Sequence, residues 1–228
     1  ADALDQAADN PDVRVIILAA AGPVFCAGHD LKQMTVARQN ADRGRAYFTK
    51  ILTQCSRVMQ KIVTCPKPVI AEVGGVATAA GCQLVASCDL AVASAAAQFC
   101  TPGVNIGLSC STPLLAFSRN LANKHAMEML LTGDMLPAAR AAEMGLVNQI
   151  VPEAELAAAS MALAQKIAAK SSLTLATGKE AFYQQKEMDL AHAYIYAAEV
   201  MVENMLARDA EEGIAAFIEK RPPDWRDE

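Results

Sequence analysis

The sequence predicts an α/β core followed by a helical C-terminal region. Two observations carry that reading. Strand-like and helix-like patterns alternate up to residue 151, and from Pro152 to near Lys220 the pattern is helical throughout. The strand candidates are also apolar at successive positions, as in sheets covered on both faces. The chain therefore divides into an α/β core, residues 1–151, and a helical region, residues 152–228. Hydrophobic residues make up 53% of the chain, enough for a large core, and aromatics only 5%, so Ala, Val, Leu, Ile and Met must build it.

Leu4, Ala7 and Ala8 read as the tail of an amphipathic helix that Pro11-Asp12 stops. Residues 13–19 follow as a strand. Gly22-Pro23 makes a turn, and Gly28 lets the chain bend before a short helix opening near Asp30, where an acid suits the positive helix end. Tyr47, Ile51, Cys55, Val58, Met59 and Ile62 recur at helical spacing, so residues 42–63 form a long helix that Cys65-Pro66-Lys67-Pro68 ends. Residues 69–73 are a buried strand. Gly74-Gly75-Val76-Ala77-Thr78-Ala79-Ala80-Gly81 follows, small residues that open a helix carrying Leu84-Val85-Ala86. Strands over 89–93 and 98–100, a loop from Thr101 to Gly107, and helices over 114–119, 124–131 and 138–144 come next. Gly145 caps the last of these, and a strand over 148–151 completes the core.

Two strand–loop–helix units thus end in free backbone N–H groups, a setting that suits an anionic oxygen. Close packing of small residues is the open alternative at this level. The net charge of −5, with scattered basic residues, argues against nucleic acid as a partner. No apolar run approaches the roughly 18 residues of a membrane span. Seven Cys, mostly inside apolar segments (Cys26, Cys82, Cys88, Cys100), read as reduced, buried thiols in a reducing compartment. Three His without paired Cys/His spacing predict no metal site. Ser109-Cys110-Ser111 lacks the glycines of a nucleophile elbow, and no Ser-His-acid set is visible, which sets aside a serine hydrolase. The chain begins Ala1-Asp2-Ala3-Leu4 without Met, so a start further upstream is expected.

Cys26-Ala27-Gly28-His29-Asp30-Leu31-Lys32-Gln33-Met34 resembles the F-x-A-G-A-D-[IL]-K-x-M of the crotonase (enoyl-CoA hydratase/isomerase) family. Gly75-Val76-Ala77-Thr78-Ala79-Ala80-Gly81-Cys82-Gln83-Leu84, with Ser87-Cys88-Asp89-Leu90, resembles its G-x-A-x-G-G-G-x-E-L-x-x-x-C-D-[IL]. Leu131-Thr132-Gly133, Ala142-Glu143-Met144-Gly145-Leu146-Val147, Val151-Pro152 and the run from Glu212-Gly213 to Lys220-Arg221 are similar to its later landmarks. The resemblance implies the ClpP/crotonase fold, a spiral of ββα units, here without its first strands, and a helical trimerisation region. It implies a homotrimer or a dimer of trimers, and an acyl-CoA thioester as small-molecule partner in fatty acid metabolism. Coenzyme A arrives as part of that substrate, with no separate cofactor. A cytoplasmic location is implied, or the mitochondrial matrix in a eukaryote.

Carried over residue by residue, the backbone N–H groups of His29 and Ala80 form the oxyanion hole that holds the thioester oxygen as it becomes enolate-like. Cys26, His29, Asp30, Leu31, Lys32 and Ala80 are the implied substrate-binding positions. The His29 imidazole is also a candidate acid or base near neutral pH. Lys32 and Lys67 are candidates for the phosphates of CoA, beside a plain solvated role. The pattern breaks at the two catalytic glutamates of the hydratases, whose places are taken by Gln83 and Gly103. Gln takes up no proton at neutral pH and Gly offers no side chain. General acid–base groups contribute about 10²–10⁴ in rate each, so simple hydration is expected to be weak. The readings left are a lyase or isomerase with an atypical acid/base set, or an acyl-CoA binder or regulatory scaffold without catalysis.

Overall fold

The structure is a computed structural model and describes residues 1–228. Its strands in chain order are β1 (Ile16–Leu18), β2 (Val24–Cys26), β3 (Val69–Val73), β4 (Val76–Thr78), β5 (Leu90–Ser94), β6 (Gln98–Cys100), β7 (Leu136–Pro137) and β8 (Gln149–Val151). They form two four-stranded sheets, one in the order β1-β3-β5-β8 and the other β2-β4-β6-β7. From β1 to β6 successive strands alternate between the sheets, and each of the three pairs precedes a helix. This is the spiral of ββα units. The pairs β3–β5, β5–β8, β2–β4 and β4–β6 are parallel, and β6–β7 is antiparallel.

The helices of the early chain are α1 (Asp2–Asp9), α2 (Leu31–Ala37), α3 (Arg45–Thr64) and α4 (Ala80–Ser87). A 3-10 turn at Pro102–Ile106 stands where a loop was expected; α5 (Pro113–Asn120), α6 (Asn123–Thr132) and α7 (Ala138–Glu143) follow it. The C-terminal helices are α8 (Leu156–Ala168), α9 (Ser172–Gln185), α10 (Leu190–Leu206) and α11 (Arg208–Glu219). No helix is long and apolar enough to cross a membrane.

The chain forms two compact units. The first holds residues 17–63 and 69–161, with residue 1; the second holds residues 2–16, 64–68 and 162–228. In the first, Val69, Ile70, Ala71 and Val73 of β3 are fully buried with Val92, Phe99, Phe117 and Ile62. The apolar run without alternation is thus a central strand covered on both faces. In the second unit, neither α9 nor α10 buries a single residue. That unit is tied together by its C-terminal tail. The buried Asp209 carboxylate accepts the amides of Arg226 and Asp227 at 2.9 Å each, and Trp225 donates its indole N–H to Ala169 at 3.0 Å. Burial pushes the Asp209 carboxyl up, but these amides and the Ser171 hydroxyl more than offset it, leaving it below the ordinary carboxylate range. The Arg221 guanidinium and the Asp224 amide hold Glu212 down at about 2.

Two boundaries differ from the expected ones for local reasons. The strand expected over 13–19 shortens to β1, because the Val13 amide closes a turn on the Asn10 carbonyl at 3.1 Å and Arg14 reaches out to the Ala168 carbonyl at 2.8 Å. The long helix expected from residue 42 begins at Arg45, because the Asp42 carboxylate accepts the amides of Gly44 and Ala46 and caps it. β2, β4 and β7 have two or three residues each, too short to show a period.

Candidate active site

β2 and β4 run parallel, pairing Val24 with Val76 and Cys26 with Ala77. The segments that leave their C-terminal ends therefore emerge side by side. The Thr78 hydroxyl donates to the Ala27 carbonyl at 3.0 Å and ties the two together. Gly28 has φ +86, and a Cβ there would stand 3.2 Å from the Ala79 methyl and 3.3 Å from the Ala80 amide nitrogen. Next along, a Cβ on Gly81 would lie 2.0 Å from the Cys26 carbonyl oxygen, an overlap no side chain survives. Glycine at these two places is what lets the loops bearing His29 and Ala80 touch.

Ala80 is the first residue of α4, so its N–H has no acceptor within the helix. Neither the His29 amide nor the Ala80 amide donates to any group of the protein. Ala80 stands where the resembling pattern has glycine, yet its φ is not positive. The conformational demand falls instead on Ala79, which has φ 49 and ψ −117, a region that costs a residue with a Cβ about 1–3 kcal/mol. Two bonds hold it there: its amide donates to the Cys100 carbonyl at 2.9 Å, and its carbonyl accepts the Gln83 amide at 3.0 Å. The strained residue turns the chain sharply from β4 into α4 and leaves Ala80 with ordinary helical geometry.

Asp30 is the N-cap of α2, its carboxylate accepting the Lys32 amide at 2.8 Å and the Gln33 amide at 3.2 Å. Leu31 and Lys32 are exposed on the first turn of that helix, and Cys26 and His29 are half-buried. Lys67 lies elsewhere, in the second unit, where its ammonium donates to the carbonyls of Ala7 and Asn10 and closes the end of α1. His125 and His192 sit on helices beside Glu128 and Asp189.

The two positions expected to carry carboxylates differ in kind. Gln83, in α4, is buried at 4% exposure, and its Oε1 has no hydrogen-bond partner. At Gly103 the room for a side chain is already taken. A Cβ there would stand 2.7 Å from the Leu108 carbonyl oxygen and 2.8 Å from the Cys110 sulfur. The Leu108 amide donates back to the Gly103 carbonyl at 2.9 Å and pins this fold of the loop. The sequence reading passed over Cys110 in this role. Its only signal was Gly107, whose left-handed φ of +73 turns the chain back. Burial, and then the sulfurs of Cys100 and Cys110, push the Cys82 thiol up. Burial, and then Cys110, does the same to Cys100.

The family model for enoyl-CoA hydratase/isomerase matches residues 1–228. The chain is 49% identical over 221 residues to the human protein called enoyl-CoA hydratase domain-containing protein 3, mitochondrial, covering 97% of this chain and 71% of that one. It is 34% identical over 232 residues to the mitochondrial enoyl-CoA hydratase of Pongo abelii, covering 100% of this chain and 77% of that one. Among solved structures, an enoyl-CoA hydratase of Mycobacterium smegmatis superimposes with a TM-score of 0.91 at 47% identity, covering 98% of this chain and 85% of that one. The human domain-containing protein 3 gives 0.89 at 48% identity, covering 97% and 88%.

Proposed function

The chain belongs to the enoyl-CoA hydratase/isomerase family, and on that premise we propose that it binds acyl-CoA thioesters and stabilises their enolate form between the amides of His29 and Ala80. The observation that carries this reading is the closeness of Gly28 to Ala80, where a Cβ on Gly28 would stand 3.3 Å from the Ala80 nitrogen, with both amides unused by the protein. Each fixed donor aimed at a developing oxyanion is worth about 3 kcal/mol of transition-state stabilisation. Only backbone is needed, so Ala in place of Gly does not remove the hole. Cys26, Leu31 and Lys32 then border the ligand, and Asp30 acts through its cap on α2. Coenzyme A comes with the substrate, and no further cofactor is required. The relatives named mitochondrial favour the matrix in a eukaryote and the cytoplasm otherwise.

Simple hydration is weak on this reading. Gln83 holds and releases no proton, and the Gly103 position is filled by the Leu108 carbonyl and Cys110, so the second carboxylate has lost its place as well as its side chain. That filled position favours a second reading, an acyl-CoA binder or regulatory scaffold without turnover. A homotrimer, or a dimer of trimers, would cover the exposed apolar faces of the C-terminal helices. Butyryl-CoA titrated calorimetrically, followed by a crotonyl-CoA turnover assay, tests the proposal. Binding is expected, with hydration about 10⁴-fold or more below relatives that keep both glutamates. Absence of binding would remove the acyl-CoA reading, and ordinary hydratase turnover would remove the claim of lost acid–base chemistry.

A further inference from the structure

Three buried side-chain polar atoms have no hydrogen-bond partner: Gln83 Oε1, Ser160 Oγ and Asn204 Nδ2. Ser160 and Asn204 belong to α8 and α10. Gln83 belongs to α4, the helix whose first residue is Ala80. Its amide donates to the Ala79 carbonyl at 3.0 Å, which closes the first turn. Residues three apart on a helix share a face, with Cβ atoms about 5–6 Å apart. A helical side chain also leans toward the N-terminus and covers the turn before its own Cα. The Gln83 carboxamide therefore lies over the turn that begins at Ala80, beside the free Ala80 amide. That turn is covered: Gln83 is 4% exposed and Ala80 9%. The Ser87 hydroxyl, the polar side chain one turn further on, donates at 2.9 Å to the main-chain carbonyl of Gln83 and leaves its side chain unserved. A buried acceptor in a folded chain is almost always paired, with protein or with something bound. The donor that Oε1 lacks comes from outside the chain, next to the place where a thioester oxygen would be held.

We propose that Gln83 is a specificity-determining residue that selects 3-hydroxyacyl-CoA thioesters, its Oε1 accepting the hydrogen bond of the β-hydroxyl; this rests on the acyl-CoA reading of the same site. An α-hydroxyl stands against the thioester oxygen itself. The β-carbon is the first whose hydroxyl can reach away from that oxygen to a carboxamide rooted three residues, about 4.5 Å of rise, beyond Ala80. A hydroxyl suits the carboxamide in either orientation, because it donates to the oxygen or accepts from the N–H. A β-keto oxygen only accepts and a saturated chain does neither, so both leave Oε1 unpaired. Glutamine exchanges no proton at neutral pH, and Gly103 brings no side chain, so the hydroxyl is held without being expelled as water. The site is thereby matched to the hydrated thioester rather than to the enoyl one.

The test titrates the full chain calorimetrically with both enantiomers of 3-hydroxybutyryl-CoA, with 2-hydroxybutyryl-CoA and with butyryl-CoA. One enantiomer of 3-hydroxybutyryl-CoA should bind about tenfold more tightly than butyryl-CoA, the worth of one buried hydrogen bond regained. The 2-hydroxy thioester should show no such gain. Gln83→Leu should bring the favoured enantiomer to within about twofold of butyryl-CoA, with folding checked by thermal melting. A purely structural role for Gln83 would move both affinities together and leave their ratio unchanged. The ratios measured on the unsubstituted protein decide the matter even where the variant fails to fold. Equal binding of butyryl-CoA and both 3-hydroxy enantiomers, as when a water serves Oε1, an equal gain for 2-hydroxybutyryl-CoA, or a preference that survives Gln83→Leu would each overturn the proposal. Failure of all four thioesters to bind would overturn the acyl-CoA reading itself.

Discussion

Around His29 and Ala80 the first unit packs so tightly that a single methyl on Gly81 would overlap a carbonyl oxygen, whereas α9 and α10 of the second unit bury no residue at all. In the first region Gly28 and Gly81 allow the close approaches, and the Thr78 hydroxyl ties the two segments together. In the second, the tail gives Asp209, Glu212 and Trp225 their partners. Its long helices leave Tyr194, Ile195, Met201, Val202 and Leu206 exposed. Large apolar side chains left so exposed on one helix are what a partner surface would cover. One region thus holds the proposed site, and the other exposes the surface that we propose a second copy covers.

The largest effect should come from the tight region. Gly81→Ala forces a Cβ to within 2.0 Å of the Cys26 carbonyl oxygen and should lower unfolding stability by about 3 kcal/mol, the upper end of overpacking costs, as read by urea denaturation. A wild-type midpoint would mean that the two loops are not in contact. Next, Ile195→Glu together with Val202→Glu should break the proposed assembly, since each apolar side chain at an interface contributes about 1.5–3 kcal/mol when buried. Light scattering should show the mass per particle fall to that of one chain, and an unchanged mass would show that α10 is not the contact. The smallest effect sharpens the reading of the loop itself. Ala79→Gly should relieve the strain at φ 49, offset in part by the greater freedom of unfolded glycine, for a net gain of about 1 kcal/mol in stability. A loss would mean that Ala79 is at ease in that conformation.

Much of this was legible in the chain. The strand at Val69–Val73 showed as a run apolar but for the half-buried Glu72, because both its faces are covered. Asp30 showed as a helix start, because a carboxylate at that point satisfies two free amides. The same motifs pointed to the branch called domain-containing protein 3, which the comparisons bear out as a near relative. What stayed hidden depended on contacts between distant segments. β4 is three residues of Val, Ala and Thr, too few to carry a period, and it exists because β2 and β6 flank it. The strain at Ala79 could not be separated from Ala80, since both are alanines where the resembling pattern has glycine. The filling of the Gly103 position is a tertiary fact: the sequence displays the missing carboxylate, but not the carbonyl and sulfur that close over its place.

The measurement that bears most directly on the account is isotope-edited infrared spectroscopy of butyryl-CoA labelled with carbon-13 at its thioester carbonyl. If the amides of His29 and Ala80 both donate to that oxygen, the C=O stretch moves to lower frequency when the thioester binds, because two hydrogen bonds draw electron density from the bond. A bound ligand whose stretch stays at its value in water or rises toward that in an apolar solvent would contradict it.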